Sequence, residues 1–208
     1  MSRQAGGKAL IVLVADQDMA QTVKGLLGRW QSLGIAPVKF EVRRHHNRDG
    51  GCRVGATQYL RPFLGNYRHA LVVFDFRGSG TRLTREKTQE EVEKALRQGG
   101  WEDRAKAIVI EPELEAWVWA ASEKVPEILG WKGEYSALKH WLHKQDLWPN
   151  DNLKPPDPKT AMERTMRESR SRRTSRKFYE LASAVKLEHC RDPAFNELKK
   201  TLQAWFPP

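Results

Sequence analysis

The chain is poor in cysteine. Cys52 and Cys190 are the only two, they form no CxxC pair, and they have no zinc-finger spacing. A disulfide scaffold and a thiolate zinc site are thereby excluded, and a reducing compartment is expected. Long apolar runs are also missing. The first, Ala9 to Ala15, is too short to span a membrane, and the polar start Met-Ser-Arg-Gln-Ala-Gly-Gly has no signal-peptide pattern, so a cytoplasmic protein with no membrane partner is expected. Acids are scarce relative to bases: 36 Lys and Arg face 26 Asp and Glu, for a net charge of +10. That imbalance favours an anionic partner, with nucleic acid first. Internal repeats are absent.

What is present is an alternation of strand and helix patterns. His69-Ala-Leu-Val-Val-Phe-Asp-Phe76 is an apolar, β-branched run of the kind buried on both faces of a parallel sheet. Lys8–Ala15 and Ala107–Ile110 have the same character, and Pro37–Val42 alternates as a half-exposed or edge strand should. Helices are predicted over Met19–Ser32, Ala56–Asn66 and Thr88–Gln98, with Gly99-Gly100 stopping the last. Arg43–Gly55, rich in Arg, His, Asn, Asp and Gly, reads as a loop. Beyond residue 112 only helical patterns remain: Glu113–Ala121, Ser136–Lys144, Lys159–Arg170 and Ala194–Trp205. Asp151 to Pro158 reads as a turn, with Asp157 as helix cap and Pro158 in the first helical position. The fold class expected is α/β, a mostly parallel central sheet flanked by helices over residues 1–122, with a helical C-terminal extension over 123–208 packed on it.

Every strong strand runs into acids. Asp16 and Asp18 follow the first, Asp75 closes the third, and Glu111 and Glu113 follow the fourth. Ligands of open α/β sheets bind beyond the carboxyl ends of strands, and hard carboxylate oxygens suit Mg²⁺. Asp16, Asp18, Asp75, Glu111 and Glu113 are therefore candidate metal ligands. Asp16 and Asp18 also stand where a helix cap belongs, and that reading stays open. The turn Arg77-Gly-Ser-Gly-Thr-Arg82 could offer amides and guanidinium groups to a phosphate, although it matches no phosphate-loop pattern. His45 and His46, beside Arg43, Arg44 and Arg48, suit phosphate contact or simple solvation better than metal ligation. The densest basic run carries Arg164, Arg167, Arg170, Arg172, Arg173, Arg176 and Lys177, which are candidate nucleic-acid contacts or a solvated linker. Eight tryptophans are many for this length; packing is their default use.

Val14-Ala-Asp-Gln-Asp18, Asp75-Phe-Arg77, Glu111-Pro-Glu-Leu-Glu-Ala-Trp117, Asp157-Pro-Lys159 and Asp192-Pro-Ala-Phe195, in this order, resemble the Toprim-like superfamily, and more closely an uncharacterised Toprim-like family found with phage-defence genes. The resemblance covers nearly the whole chain. It implies an antiviral-defence protein that contacts nucleic acid and other defence proteins, with a Mg²⁺-dependent nuclease site. Asp16 stands for the family's first acid, with Asp18 as the alternative. Asp75 is the first acid of its DxD pair, and Glu113 is the matching acid of its ELEAW segment. Two departures matter. Asp16 is shorter than the family's glutamate, and Arg77 puts a cation where the second DxD acid belongs. A guanidinium there repels Mg²⁺ and suits a phosphate. The resemblance therefore implies either catalysis by Asp16, Asp75 and Glu113 with Arg77 stabilising phosphate charge, or a catalytically degenerate binding subunit.

Overall fold

The computed structural model describes residues 8–149, 152–185, 187 and 190–208. The polar N-terminal residues and Asp151, the first residue of the predicted turn, lie outside them. Strands β1 (Lys8–Val14), β2 (Phe40–Arg44), β3 (Tyr67–Asp75) and β4 (Ala105–Ile110) form one sheet in the order β2-β1-β3-β4. All pairings are parallel, with Val14 opposite Arg44 on one side and Val73 on the other, and Asp75 opposite Ile110. The expected α/β class and parallel sheet are what the molecule has.

The reason is burial. Leu10 to Val14, Ala70 to Phe74 and Ala107 to Ile110 are shut off from solvent almost completely, as strands of a sheet covered on both faces are. Each such side chain contributes about 1.5–3 kcal/mol. β2 is an edge strand and stays half-exposed. Between the strands come α1 (Gln17–Leu27), the single turn α2 (Trp30–Leu33), α3 (Arg48–Leu60) and α4 (Arg85–Leu96). After β4 the chain is helical: α5 (Lys124–Leu129), α6 (Tyr135–Lys144), α7 (Pro158–Glu168), α8 (Ser175–Ala184) and α9 (Pro193–Trp205). α3 lies over β1 and β3, α4 and α9 cover β4, and α8 packs along α1. Among the described residues no helix is long and apolar enough to cross a membrane.

Three sequence expectations are corrected. The predicted loop Arg43–Gly55 is largely helix, because α3 begins at Arg48; its glycines disguised it, and two of them, Gly51 and Gly55, admit His45 beneath the helix. The predicted helix Glu113–Ala121 is only a 3₁₀ turn, Leu114–Trp117, whose residues are buried on every side. Its bonds run Ala116 N–H to Glu113 O and Val118 N–H to Glu115 O. The apolar spacing there reports all-round burial, not one helical face. Finally, the basic run is no continuous linker: it holds the end of α7 and the start of α8, a helix the sequence reading missed.

Candidate metal centre at the sheet edge

Parallel strands put all their carboxyl ends at one edge. There β3 and β4 stay zipped beyond the sheet: Phe76 N–H donates to Ile110 O at 2.8 Å and Arg77 N–H to Pro112 O at 3.1 Å. Asp75 is thus held beside the segment after β4, and the 3₁₀ turn swings Glu113 and Glu115 in beside it. One carboxylate oxygen from each of Asp75, Glu113 and Glu115 lies within 4.8 Å of the others.

Asp75 is the unusual member. Its Oδ1 is closed off from solvent and has no hydrogen-bond partner among the described residues. Burial raises its pKa well above the ordinary aspartate value, and the neighbouring charges of Asp49, Glu115, Asp16 and Glu113 raise it further. Asp49, from the first turn of α3, accepts the Asp75 backbone N–H through Oδ1 at 2.8 Å. Gly78 makes room for it: a Cβ there would stand 2.4 Å from Asp49 Oδ2. Arg53 Nε, one turn along α3, donates to Ser79 O at 2.8 Å, so the helix clamps the glycine turn.

Glu113 and Glu115, by contrast, have cations. Arg77 Nη1 sits 2.7 Å from Glu113 Oε1 and 3.8 Å from Asp157 Oδ2, and Lys159 Nζ 3.3 Å from Glu113 Oε2. Arg173 joins Glu115 at 2.7 Å and Asp18 at 2.6 Å. Burial pushes the Glu115 pKa up, against the pull of Arg173. Burial also works against the charge of Lys159, but Glu113 and Glu115 more than offset it, and its pKa rises.

The C-terminal motifs meet this turn. Trp117 Nε1–H donates to Asp192 Oδ1 at 3.0 Å, the same oxygen that caps α9 at Phe195 N. Trp119 Nε1–H donates to Pro158 O at 2.9 Å, and Asp157 caps α7 at Thr160 N, as its place before Pro158 predicts. ELEAW, DPK and DPAF are therefore one packed unit, whose inner face supplies Glu113, Glu115 and Lys159.

Not every predicted site residue joins the cluster. Asp16 caps α1 through Met19 N at 3.0 Å, so its capping reading holds, although it stays near enough to raise the Asp75 pKa. Asp18 is tied to Arg173 and Ser175. Glu111 points to solvent and stands outside the group, because the chain must turn at Pro112 before it reaches the cluster. Glu115 and Asp49 were missed. Glu115 lies two residues past Glu113 in the same motif, which was a signal; Asp49 had none, being delivered by a helix read as a loop. In the basic run, Arg173 is an internal ion-pair partner, Arg176 pairs with Glu180, Lys177 donates to Ile128 O, and Arg164 reaches Gln145. Arg167, Arg170 and Arg172 are exposed.

The chain matches no family model, no curated protein and no solved structure. The donor set itself fits a divalent cation. Two ligands across one Mg²⁺ or Ca²⁺ stand about 4–5 Å apart, the span of these three oxygens, and the partnerless buried oxygen of Asp75 is the kind of atom a cation satisfies.

Proposed function

We propose that this chain is a Toprim-like, Mg²⁺-dependent protein that acts on the phosphodiester backbone of nucleic acid, with Asp75, Glu113 and Glu115 as its metal ligands. The observation that carries the reading is the buried, partnerless Oδ1 of Asp75 beside two more carboxylates. An acid in that position either keeps a proton or takes a cation. When bound, the cation supplies Lewis-acid polarisation of a phosphoryl oxygen and activation of water. The chain's own residues do the rest. Arg77 and Lys159, now on Glu113, offer N–H donors to phosphate oxygens once a cation shares that carboxylate. Asp16 keeps Oδ2 clear of the Met19 cap and is the candidate acid or base. Asp49 fixes the Asp75 backbone. The place in antiviral defence, with partner proteins of the same system, rests on the family resemblance, and the cytoplasmic setting rests on the sequence.

The ion pair between Arg77 and Glu113 favours a second reading, a degenerate Toprim-like subunit that binds without cutting. Calorimetric titration with Mg²⁺ and Mn²⁺ separates the two. Binding by wild type that Asp75→Ala abolishes supports the metal-dependent enzyme, and nucleic-acid cleavage should then require the same ion. No binding by wild type, with a gain in Arg77→Asp, supports the degenerate site. No binding by any of the three proteins ends the metal-site reading.

A further inference from the structure

The end of β2 lies on the same sheet edge as the acids, and the chain there is shaped around one histidine. His45 N–H donates to Val14 O at 2.9 Å, which anchors it to β1. Its ring lies under α3, and α3 is thinned to take it. A Cβ at Gly51 would fall 2.0 Å from His45 Nδ1, and one at Gly55 2.9 Å from Nε2. Each glycine weakens the helix relative to alanine. A solvated histidine needs no such niche. The Asn47 N–H donates to Nδ1 at 3.1 Å, so the proton of the neutral ring is on Nε2. That N–H has no acceptor among the described residues.

Nε2 lies on the Gly55 side of the ring, and Gly55 lines a cavity of about 460 Å³ together with His46, Gly51, Gln58 and Tyr59. The volume is of the size that takes a small ligand. Three aromatic rings, His45, His46 and Tyr59, are among its walls. His46 is exposed and stacks on His45 with centroids 4.6 Å apart, and Tyr59 stands 5.3 Å away. Gln58 is exposed at the rim, with an amide that both donates and accepts. Arg44 and Arg48, in the chain on either side of the His45-His46-Asn47 segment that lines the cavity, are exposed. An exposed imidazole face with directed donors and acceptors beside it, on a segment that carries two arginines, is complementary to a heterocyclic base carrying phosphate.

We infer that this cavity is a nucleotide subsite: the base stacks on His46, His45 Nε2–H and Gln58 hydrogen-bond its edge, and Arg44 and Arg48 meet the phosphate. Its place beside the acids is direct. Asn47 and Gly51 bracket Asp49, whose carboxylate takes the Asp75 N–H. A strand held by one phosphate at the acid cluster therefore lays a neighbouring nucleotide here. That placement rests on the phosphodiester reading above; the binding of a base in the cavity does not, because it needs no cation.

The test is run in EDTA on the full chain, so that a failed metal site leaves it standing. Titrations with nucleoside monophosphates, a short single-stranded oligonucleotide and inorganic phosphate are followed by the histidine ¹⁵N and ¹H resonances and by anisotropy of the labelled oligonucleotide. The expected result is saturable binding of nucleotide or oligonucleotide, weakened about tenfold by His46→Ala and by Gln58→Ala, since one stacked base carries about that much. Both positions are on the cavity's exposed rim, and unchanged thermal melting certifies the fold. Oligonucleotide binding at least tenfold tighter than the mononucleotide assigns the base to a strand; equal or tighter mononucleotide binding assigns it to a free nucleotide. Wild type that binds neither, binding that neither variant weakens, or competition by inorganic phosphate as strong as by nucleotide overturns the proposal.

Discussion

The end of β1 and the end of β3 are built from the same ingredients, a fully buried apolar strand running into an aspartate. They end in opposite conditions. At β1 the acids are satisfied: Asp16 accepts the Met19 N–H and caps a helix, and Asp18 takes Arg173 and the Ser175 hydroxyl. At β3 the acid is starved: Asp75 Oδ1 is buried without a partner, and the nearest charges are other acids. An acid at a strand end is therefore not evidence of a site by itself. What separates a cap from a candidate ligand is whether the fold has already met the carboxylate's hydrogen bonds. One side chain joins the two ends. Arg173 holds Asp18 at β1 and Glu115 beside Asp75, and this makes it the first place to break the comparison.

Arg173→Met should give the largest effect on stability. It strands Glu115, whose side chain is 3% exposed, without a cation. Breaking a buried pair costs about 3–5 kcal/mol, and the 32% exposure of the Arg173 side chain points to the lower end. A loss of about 3 kcal/mol lowers Tm by roughly 6–12 °C in a chain of this size. If a cation binds at Glu115, added Mn²⁺ should recover part of that loss. A drop under about 2 °C would show that the two ends are not coupled through Arg173.

Asp75→Asn should act in the other direction. The folded protein holds the Asp75 proton at a pH where the unfolded chain has lost it. Wild type is therefore favoured at low pH, and that advantage is lost as pH rises from the ordinary aspartate value through the raised one. Asparagine does not ionise. The variant should melt close to wild type near pH 4 and gain on it steadily as pH rises to 8 in EDTA. Asp49 and Glu115, also raised by burial, are coupled to Asp75 by charge; removing its charge eases their ionisation as well, which adds to the variant's gain in the same direction. A constant difference in Tm from pH 4 to pH 8 would contradict the starved carboxylate.

Asp16→Ala, the matching change at β1, should cost about 1 kcal/mol through the lost helix cap. The Asp16 charge is only one of several that raise Asp75, so the pH dependence should be small beside that of Asp75→Asn, and the loss should be largely recovered in Asp16→Asn, because an amide oxygen also caps. If Asp16→Ala instead reproduced the pH signature of Asp75→Asn, the two strand ends would be alike.

Much of this could be read in the chain before its shape was known. β1, β3 and β4 were legible because strands buried on both faces must be apolar throughout, and α6 and α9 were legible from their spacing. Asp75 followed, since an acid that closes such a strand has to be at the sheet edge; the same rule offered Glu111 and Glu113 alike after β4, and only Glu113 turns in. α3 was not legible, because Gly50, Gly51 and Gly55 argue against a helix locally, and the reason for two of them, the His45 ring, comes from another element. Asp49 went with it. α8 was hidden by arginines, although Phe178, Leu181 and Ala182 bury one face of it. Glu115 belonged to a segment whose uniform burial looked like helical periodicity. In each case a tertiary contact, absent from local pattern, decided the outcome.

The smallest effect on stability concerns the basic run, which divides as the strand ends do. Arg173, Arg176, Lys177 and Arg164 already have partners within the chain. Arg167, Arg170 and Arg172 are exposed and have no ion pair among the described residues. If the run contacts nucleic acid, these three should carry the contact. Their replacement by glutamate should change stability by no more than about 0.5 kcal/mol each, as surface substitutions do. It should weaken binding evenly across sequences and reduce the salt slope by about one for each phosphate contact removed. Electrophoretic shifts and anisotropy between about 50 and 200 mM salt measure both quantities. If the triple variant keeps the wild-type affinity and slope, the run is folding hardware throughout. Other cations are then the ones to test, first Arg77 and Lys159 beside the acids and the exposed Arg44 and Arg48 around the His45 segment.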